Sequence, residues 1–391
     1  MRLEVSKRTL YYIILLFFIL CPGRLSTAFL PYSSYIFILA QALIGLLFLR
    51  QFGMVFPNSS VGKWMFIFLI TCSLGIFINN GMPLLTVVRY ICWIISLLGL
   101  YVYFQNASKE DAYFFLEAAK FLWVFTLLLT FYYSRFINAD TAYGSAVYFW
   151  GSEAVTVQYF VMFMATSLYF DLEYKNKITK TTIICSVLSF AFSVINTSGQ
   201  GMSMIGLLVI CVILNEVQKE KLWKIISPIP FILVIAVLNY LIITLKYKDI
   251  VIVIDYITNV LGKDPTLTGR DQIFQGAIGV FVQHPFVGYG YNNSIINDTL
   301  GKIAMQFNTA HNSMLQLMVD YGLIGLASFV MMMYTSLNKI TKIQKKSNAI
   351  CYFALLASFF GALVNMMIPT ITFWIVLFLG LRDSEDELRW E

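Results

Sequence analysis

The sequence predicts an all-α, polytopic integral membrane protein, and three observations point to that class. Of its 391 residues, 59% are apolar and 12% are charged, about half the charged fraction that a soluble domain carries. The apolar residues form runs close to 20 residues, about the length that crosses roughly 30 Å of hydrocarbon. No hydrophilic stretch of the sequence reaches the roughly 100 residues of a separate domain. A soluble enzyme, a disulfide scaffold and a disordered tail protein are therefore excluded.

About twelve windows of the sequence have the length and apolarity of a membrane span. They predict helices near 9–28, 32–49, 62–78, 83–104, 112–133, 153–171, 180–196, 201–217, 225–245, 311–336, 348–365 and 367–381. The chain then divides into three parts. Residues 1–245 hold helices 1 to 9, residues 246–310 form one long extracytoplasmic loop with short helices, and residues 311–391 hold helices 10 to 12 and a short cytoplasmic tail.

The distribution of Lys and Arg predicts that both termini are cytoplasmic. With the N-terminus inside, 18 of the 27 basic residues fall in the inner segments, and two, Arg24 and Arg135, fall in short outer loops. Basic residues concentrate on the cytoplasmic side of membrane proteins. Where the positive charges lie therefore matters more than their sum, so the net charge of +6 is not a nucleic-acid signal and no nucleic-acid partner is expected.

The long outer loop is where we expect chemistry, because long loops usually carry function. Thr268-Gly269-Arg270-Asp271 opens a stretch with helical apolar spacing that Pro285 ends, which predicts a short amphipathic helix lying on the membrane. Arg270 falls in its first turn, where the helix dipole adds positive charge, so a phosphate or diphosphate would bind there. The alternative is a surface arginine bonded to a loop carbonyl.

The two histidines of the chain, His284 and His311, both lie in this outer region. The predicted boundary of helix 10 places His311 at the outer membrane surface, where an imidazole is suited to activate a hydroxyl as a general base. A hydrogen-bonded anchor is the alternative. Asp320 lies nine positions later, about 180° round an ideal helix, so a simple His-Asp pair is not expected.

Charged residues inside the predicted spans are further candidates, since a buried charge in a membrane is costly unless it is paired or faces a polar cavity. Arg89 is expected about 9 Å below the outer end of span 4. Arg24 and Arg135 are expected at the same outer level. Together with Arg270 they would form a cationic cavity that opens to the outer leaflet and suits a lipid-linked phosphate. Glu117 and Lys120 read as a simple ion pair on the surface of helix 5.

Neither metals nor cofactors are expected. None of the six cysteines shows Cys-x-x-Cys spacing, and neither histidine has a cysteine at metal-ligand spacing. The cysteines fall in or at the end of apolar runs and read as small core residues.

A longer ordered motif carries a family resemblance. The outer segment reads TGRDQIFQGAIGVFVQHPFVGYG and continues, twenty residues on, with AHNSMLQLMVDYGLIGL. The motif positions are Arg270, His284-Pro285, Gly288, Gly290, His311-Asn312, Gly322 and Gly325. Their order and spacing resemble the O-antigen ligase and polymerase family. The resemblance is strong over about 60 residues. Elsewhere it rests only on topology, since that family also has about a dozen spans and a large external loop before the third-last span.

The resemblance implies a metal-independent membrane glycosyltransferase, without a cofactor, on the outer face of the cytoplasmic membrane. Its donor and acceptor would be polyprenyl-diphosphate-linked glycans. The implied catalytic residues are Arg270, which contacts the diphosphate, and His311, which activates the acceptor hydroxyl or holds the site. The substrate-binding residues are expected to be Arg89, Arg135, Gln200, His284 and Asn312. We expect Arg89 and His311 to serve one cavity.

One position departs from the family pattern. Relatives often carry Ser-Arg-Gly between helices 7 and 8, whereas this chain has the neutral Gln200 there. Either Arg89 or Arg135 supplies the missing charge, or the donor is held less tightly.

Two functions within the family remain open, and the departure at Gln200 favours the first. A polymerase passes the growing glycan to another lipid-linked repeat unit, for O-antigen or for capsular or exopolysaccharide. A ligase passes it to lipid A core or to a protein. A flippase or other transporter is a distant alternative, because no internal repeat with paired broken helices is visible. A chain-length regulator and the flippase of the same pathway are the expected protein partners.

Overall fold

A computed structural model describes residues 6–20, 33–52, 59–78, 84–136, 147–218, 227–260, 264, 270–291, 295, 298, 309–368 and 370–382. Every predicted window overlaps one helix in these ranges. The twelve helices are α1 (Lys7–Leu20), α2 (Ser33–Phe52), α3 (Ser60–Ile78), α4 (Leu84–Asn106), α5 (Lys109–Phe136), α6 (Glu153–Tyr174), α7 (Lys180–Ile195), α8 (Gly199–Gln218), α9 (Pro228–Ile243), α12 (Ser313–Ile343), α13 (Lys346–Ala362) and α14 (Ile371–Gly380).

The region between α9 and α12 contains two further helices among the described residues. A short α10 (Val251–Asp255) lies between a 3-10 turn at Lys246–Asp249 and a π-helical turn at Tyr256–Val260, and α11 is Arg270–Gln283. Before α6, β1 (Val147–Tyr148) and β2 (Gly151–Ser152) pair as a two-residue antiparallel hairpin. The architecture is thus overwhelmingly α-helical, as the sequence predicts.

Six of the described helices are long and apolar enough to cross a membrane: α3, α4, α5, α6, α8 and α12. The other six in the predicted windows are shorter or less uniformly apolar over the residues that the structure describes. The first window predicts a span to residue 28, but α1 ends at Leu20. Residues 21–32, with Arg24, lie outside the described part. Twelve membrane spans therefore remain a prediction.

The exposed surface of the bundle is apolar where a soluble protein would be polar. Val187 and Ile195 on α7, Val237 on α9 and Ile210 on α8 are among the many exposed aliphatic side chains. Contiguous apolar surface of this extent marks contact with lipid or protein. By contrast α6, α13 and α14 pack against each other, and nearly every residue of α6 is buried. The helix bundle is therefore apolar inside and outside, as expected for a membrane-embedded protein.

The predicted ion pair on α5 is wrong. The Lys120 Nζ donates instead to Asp171 Oδ1 at 2.8 Å and to Thr179 Oγ1 at 2.6 Å, while a Glu117 oxygen accepts from Thr9 Oγ1 at 2.6 Å. Asp171 on α6 is fully buried. A buried carboxylate must be paired and hydrogen-bonded, so Asp171 draws the lysine toward α6, while Glu117 bonds to α1 instead.

Helix α12 is broken at Gly322, and a turn from the preceding segment fills the break. Gly322 has φ 64° and ψ −168°, which interrupts the hydrogen-bond ladder of the helix. We call Pro285–Tyr291 the inserted turn, because it pairs with both sides of the break. Four backbone bonds join them: Tyr289 N to Val319 O at 2.9 Å, Gly290 N to Asp320 O at 2.7 Å, Leu323 N to Pro285 O at 2.8 Å and Ile324 N to Phe286 O at 3.1 Å.

Glycine is needed on both sides of this junction. Both Gly288 and Gly322 have φ near +65°, a region that residues with a Cβ atom adopt at a cost. A Cβ on Gly322 would overlap the backbone carbonyl of Phe286, and one on Gly288 would lie 2.5 Å from the carbonyl oxygen of Asp320. The turn and the broken helix therefore approach as closely as bare backbone allows.

We predict that Gly322→Ala destabilises the protein by forcing the inserted turn away from α12. The left-handed backbone alone costs roughly 1–2 kcal/mol with a Cβ present, and the overlap with Phe286 adds to it. The measurement is the midpoint of thermal unfolding in detergent, which should fall by several degrees. Gly279→Ala on α11 is the matched control, because a Cβ there meets nothing within 4 Å. Equal midpoints for the two variants would contradict the prediction.

Candidate functional site

Helix α11 presents Arg270 from its first residue, as the sequence predicts. Its apolar side is buried against protein, with the larger contact on α12 and a smaller one on α9. The cluster at this contact comprises Ile273, Phe274, Ala277, Val280, Ala310, Leu315 and Val319. The expectation that this face lies on the membrane is therefore wrong. The hydrophobic contact instead fixes α11 beside the start of α12, next to His311.

Arg270 and His311 lie within electrostatic range of each other. Burial lowers the pKa of the Arg270 guanidinium, which still stays charged at neutral pH. The pKa of His311 falls to about 4, chiefly through burial and further through the positive charge of Arg270. The imidazole is therefore neutral at pH 7 and able to accept a proton. An anion bound at Arg270 would screen that charge and make His311 more basic.

His311 lies just outside α12. The helix begins at Ser313, two residues after the predicted start of span 10, and His311 has a left-handed backbone with φ 47°. The argument that Asp320 lies opposite His311 on a helix does not apply, since His311 is not helical.

Asn312 caps α12. Its side-chain oxygen accepts from Leu315 N at 2.9 Å, and its Nδ2 donates to Asn239 Oδ1 at 2.9 Å and to Leu363 O at 3.0 Å. Asn312 is fully buried, and these three bonds engage its oxygen and both amide hydrogens. In the structure it fixes the helix start beside His311; the substrate contact predicted for it stays a prediction.

Gln200 reaches the same end of α12. It lies in the first turn of α8 rather than in a loop, and its Oε1 accepts from Asn365 Nδ2 at 2.9 Å. The backbone oxygen of Asn365 in turn accepts from Ser313 Oγ at 2.8 Å. A chain of two hydrogen bonds therefore connects Gln200 to the residue two positions after His311, and this neutral side chain stands where relatives often have arginine.

Arg89 lies on α4 and points its guanidinium carbon at the ring of Tyr35, 5.2 Å from the ring centroid. Its Nε is buried and has no hydrogen-bond partner among the described residues. On the same helix Trp93 stacks on Tyr291 of the inserted turn, with centroids 5.8 Å apart. Tyr291 is in electrostatic range of both Arg89 and Asp320. The inserted turn thus links the Arg89 region to α12. A single cavity shared by Arg89 and His311 remains a prediction.

The remaining predicted site residues are less closely connected. His284 is exposed and packs its ring edge-on against Tyr289, with centroids 4.5 Å apart, so it stands at the base of the inserted turn. Arg135 lies near the end of α5, but its side chain falls outside the described part of the structure. No group of three or more His, Cys, Asp or Glu residues in the described ranges is arranged to hold a metal ion.

Sequence reasoning missed the uncharged polar residues of the site and the acid of α12. Asn239, Gln316 and Asp320 are buried within predicted spans, and Asn365 lies at the end of one. Polar side chains inside apolar windows are rare and functional by default. That signal is present in the sequence for all four residues, whereas the predicted site uses it only for Arg89 and treats Asp320 only as a possible partner of His311.

Comparison with known proteins supports the resemblance noted in the sequence. Residues 184–330 match the family model described as O-antigen ligase. The matched range contains Gln200, Arg270, His284, His311 and Asn312, whereas Arg89 and Arg135 precede it. No curated protein matches the chain.

We predict that Arg270→Gln raises the pKa of His311 by removing a like charge. Histidine-labelled protein in detergent, in a His284→Gln background that leaves one imidazole, would report the titration by NMR. Lys246→Gln is the matched control, since Lys246 is an exposed cation of the same segment. The lowered pKa of His311 also makes the free energy of unfolding depend on pH. The imidazole binds a proton more readily in the unfolded chain than in the folded protein, so acidification from about pH 6.5 toward 4 should lower the free energy of unfolding. An identical His311 titration with and without Arg270 would refute the coupling.

Proposed function

We propose that this chain, a membrane protein of the O-antigen ligase and polymerase family by its residues 184–330, polymerises lipid-linked oligosaccharides. The substrates would be polyprenyl-diphosphate-linked repeat units, and the product O-antigen or a capsular or exopolysaccharide. The observation that carries the proposal is the pairing of a charged arginine with a neutral imidazole, Arg270 beside His311, at the end of the bundle where α11 packs.

The chemistry assigned to the pair is a glycosyl transfer. The bond between the anomeric carbon and the diphosphate oxygen breaks, and the diphosphate leaves with the bonding electrons. Arg270 stabilises the charge that develops on it, because a planar guanidinium binds two phosphate oxygens at once. The acceptor hydroxyl attacks the anomeric carbon and transfers its proton to His311. The new glycosidic bond extends the chain by one unit.

The electrostatics favour an ordered process. Without substrate, burial and, to a smaller extent, the positive charge of Arg270 lower the pKa of His311 and keep it a weak base. Binding of the donor diphosphate would neutralise Arg270 and raise the proton affinity of His311. His311 would therefore become an effective base only when a donor is bound, and its imidazole would stay unprotonated until then.

The other predicted residues take supporting roles in the proposal. Arg89, with a buried guanidinium nitrogen that lacks a partner among the described residues, would lie beside the donor diphosphate, together with Arg135. Gln200, His284 and Asn312 would contact substrate or hold the groups that do. We place the site on the outer face of the cytoplasmic membrane with both termini cytoplasmic, as the basic residues predict. A chain-length regulator and a flippase would be its protein partners, and no metal would be required.

Transfer to lipid A core or to a protein is the second candidate function. The matching family model is described as a ligase, and the Arg270–His311 chemistry serves any acceptor hydroxyl. The neutral Gln200, in place of an arginine typical of ligases, is the observation in favour of the polymerase.

The lipid-linked glycans of a strain lacking the protein distinguish the two functions. Accumulation of single repeat units means that polymerisation is lost, as we expect. Long lipid-linked chains that remain unattached mean that the ligase reading is correct. A glycan profile identical to that of the parent strain would refute both.

We predict that the Arg270→Ala variant, expressed in the strain that lacks the wild-type protein, forms no polymer although the amount of membrane-inserted protein is unchanged. Arg270→Lys should restore activity only in part, because an ammonium group cannot hold two phosphate oxygens in the fork geometry of a guanidinium. Lys246→Ala is the control: it removes an exposed cation of the same segment and should leave polymer length near wild type. Full activity of Arg270→Ala would refute the diphosphate role.

A further inference from the structure

The side chain of Gln316 on α12 connects the backbone beside His311 to the buried carboxylate of Asp320. Ala310 N donates to Gln316 Oε1 at 2.8 Å, and Gln316 Nε2 donates to Asp320 Oδ1 at 2.8 Å. Gln316 and Asp320 are four residues apart on a helix, so they lie on one face. Both are buried, as is Ala310. The chain of bonds ends at the residue that immediately precedes His311.

The order of donors and acceptors in this chain is set at both ends, by the Ala310 N–H, which can only donate, and by the Asp320 oxygen, which accepts. An ionised carboxylate only accepts hydrogen bonds, whereas an amide side chain can turn either its oxygen or its nitrogen to a neighbour. Asp320 therefore draws the NH₂ group of Gln316 and leaves the amide oxygen facing Ala310 N–H. A Gln316 turned the other way would place its NH₂ group against that N–H.

His311 needs such a constraint because its backbone is strained. A left-handed φ of 47° is uncommon for a residue with a side chain, and a strained conformation persists only where its surroundings hold it on both sides. On the C-terminal side, Asn312 is fixed by its three hydrogen bonds. On the N-terminal side, the hydrogen bond from Ala310 to Gln316 does the same.

We propose that Asp320, acting through Gln316, is a positioning residue that holds His311 in the orientation needed for proton transfer. The inference deepens the proposed function and rests on it. Asp320 also holds the inserted turn, because its backbone oxygen accepts a hydrogen bond from Gly290 N of that turn at 2.7 Å. Asp320 thus sets the positions of the inserted turn and of the segment bearing His311 relative to each other.

A reversal of the hydrogen-bond polarity tests the proposal. Gln316→Glu places two carboxylates against each other and should lower kcat by about 10- to 100-fold, the cost of misplacing a reacting group, with KM little changed. Asp320→Asn keeps an acceptor for Gln316 and should be mild. In the double variant, the new carboxylate at position 316 accepts from Ala310 N–H, and the new amide at position 320 donates to that carboxylate. The bond chain is then complete again, so activity should return to about that of Asp320→Asn.

The control for the added carboxylate is Gln275→Glu on α11, where the side chain is exposed. A wild-type kcat in Gln316→Glu would overturn the proposal. A double variant as inactive as Gln316→Glu alone would also overturn it, because Asp320 would then act through its own charge and not through Gln316. An amount of membrane-inserted protein and a midpoint of thermal unfolding equal to those of the wild type exclude misfolding as the cause of the lost activity.

A substrate-free readout separates this inference from the proposed function. The His311 imidazole resonance should shift in Gln316→Glu and return in the double variant, whatever reaction the protein catalyses. A shift that returns while the wild-type protein transfers no glycan would refute the proposed function alone. A resonance that does not move in Gln316→Glu would refute the positioning role alone.

Discussion

The site depends on four backbone hydrogen bonds between the inserted turn and the break in α12. A helix that stops at Gly322 leaves carbonyls on one side and N–H groups on the other without partners, and in an apolar bundle each would cost several kcal/mol. The inserted turn supplies complementary groups to both sides. Irregular backbone is therefore tolerated here because it is saturated by protein. Through this junction, α11, the inserted turn and the start of α12 hold fixed positions, and Arg270 comes beside His311.

The electrostatics of Arg270 and His311 follow from that packing. The side of α11 that carries Ile273 and Phe274 is apolar and docks on α12, so the charged residue at the helix start is held at the margin of the contact. Burial that stabilises the helix also removes water from His311 and keeps its imidazole neutral. The same hydrophobic contact thus fixes the geometry of the pair and adjusts its acid–base chemistry.

The sequence predicted what depends on local patterns and missed what depends on distant partners. Helix windows follow from apolar length, and a helix with Arg270 in its first turn follows from helical spacing, so both agree with the structure. The break at Gly322 could not be read in the same way, because Gly-Leu-Ile-Gly-Leu within an apolar run is compatible with a continuous helix. Its cause lies more than 30 residues earlier, in the inserted turn. Lys120 was misassigned for the same reason, since its partner Asp171 belongs to another helix.

The direction of the chain through the junction has a consequence for biogenesis. The inserted turn is synthesised before the part of α12 that receives it, so its backbone groups have no partners until that helix has entered the membrane. The four bonds join positions 30 to 38 residues apart, and the loop between them must be ordered before they close. The helices N-terminal to the turn are therefore synthesised while this junction is still open. The junction can form only after synthesis has passed Ile324, and a chain released before that residue would leave the inserted turn without the backbone groups that complete it.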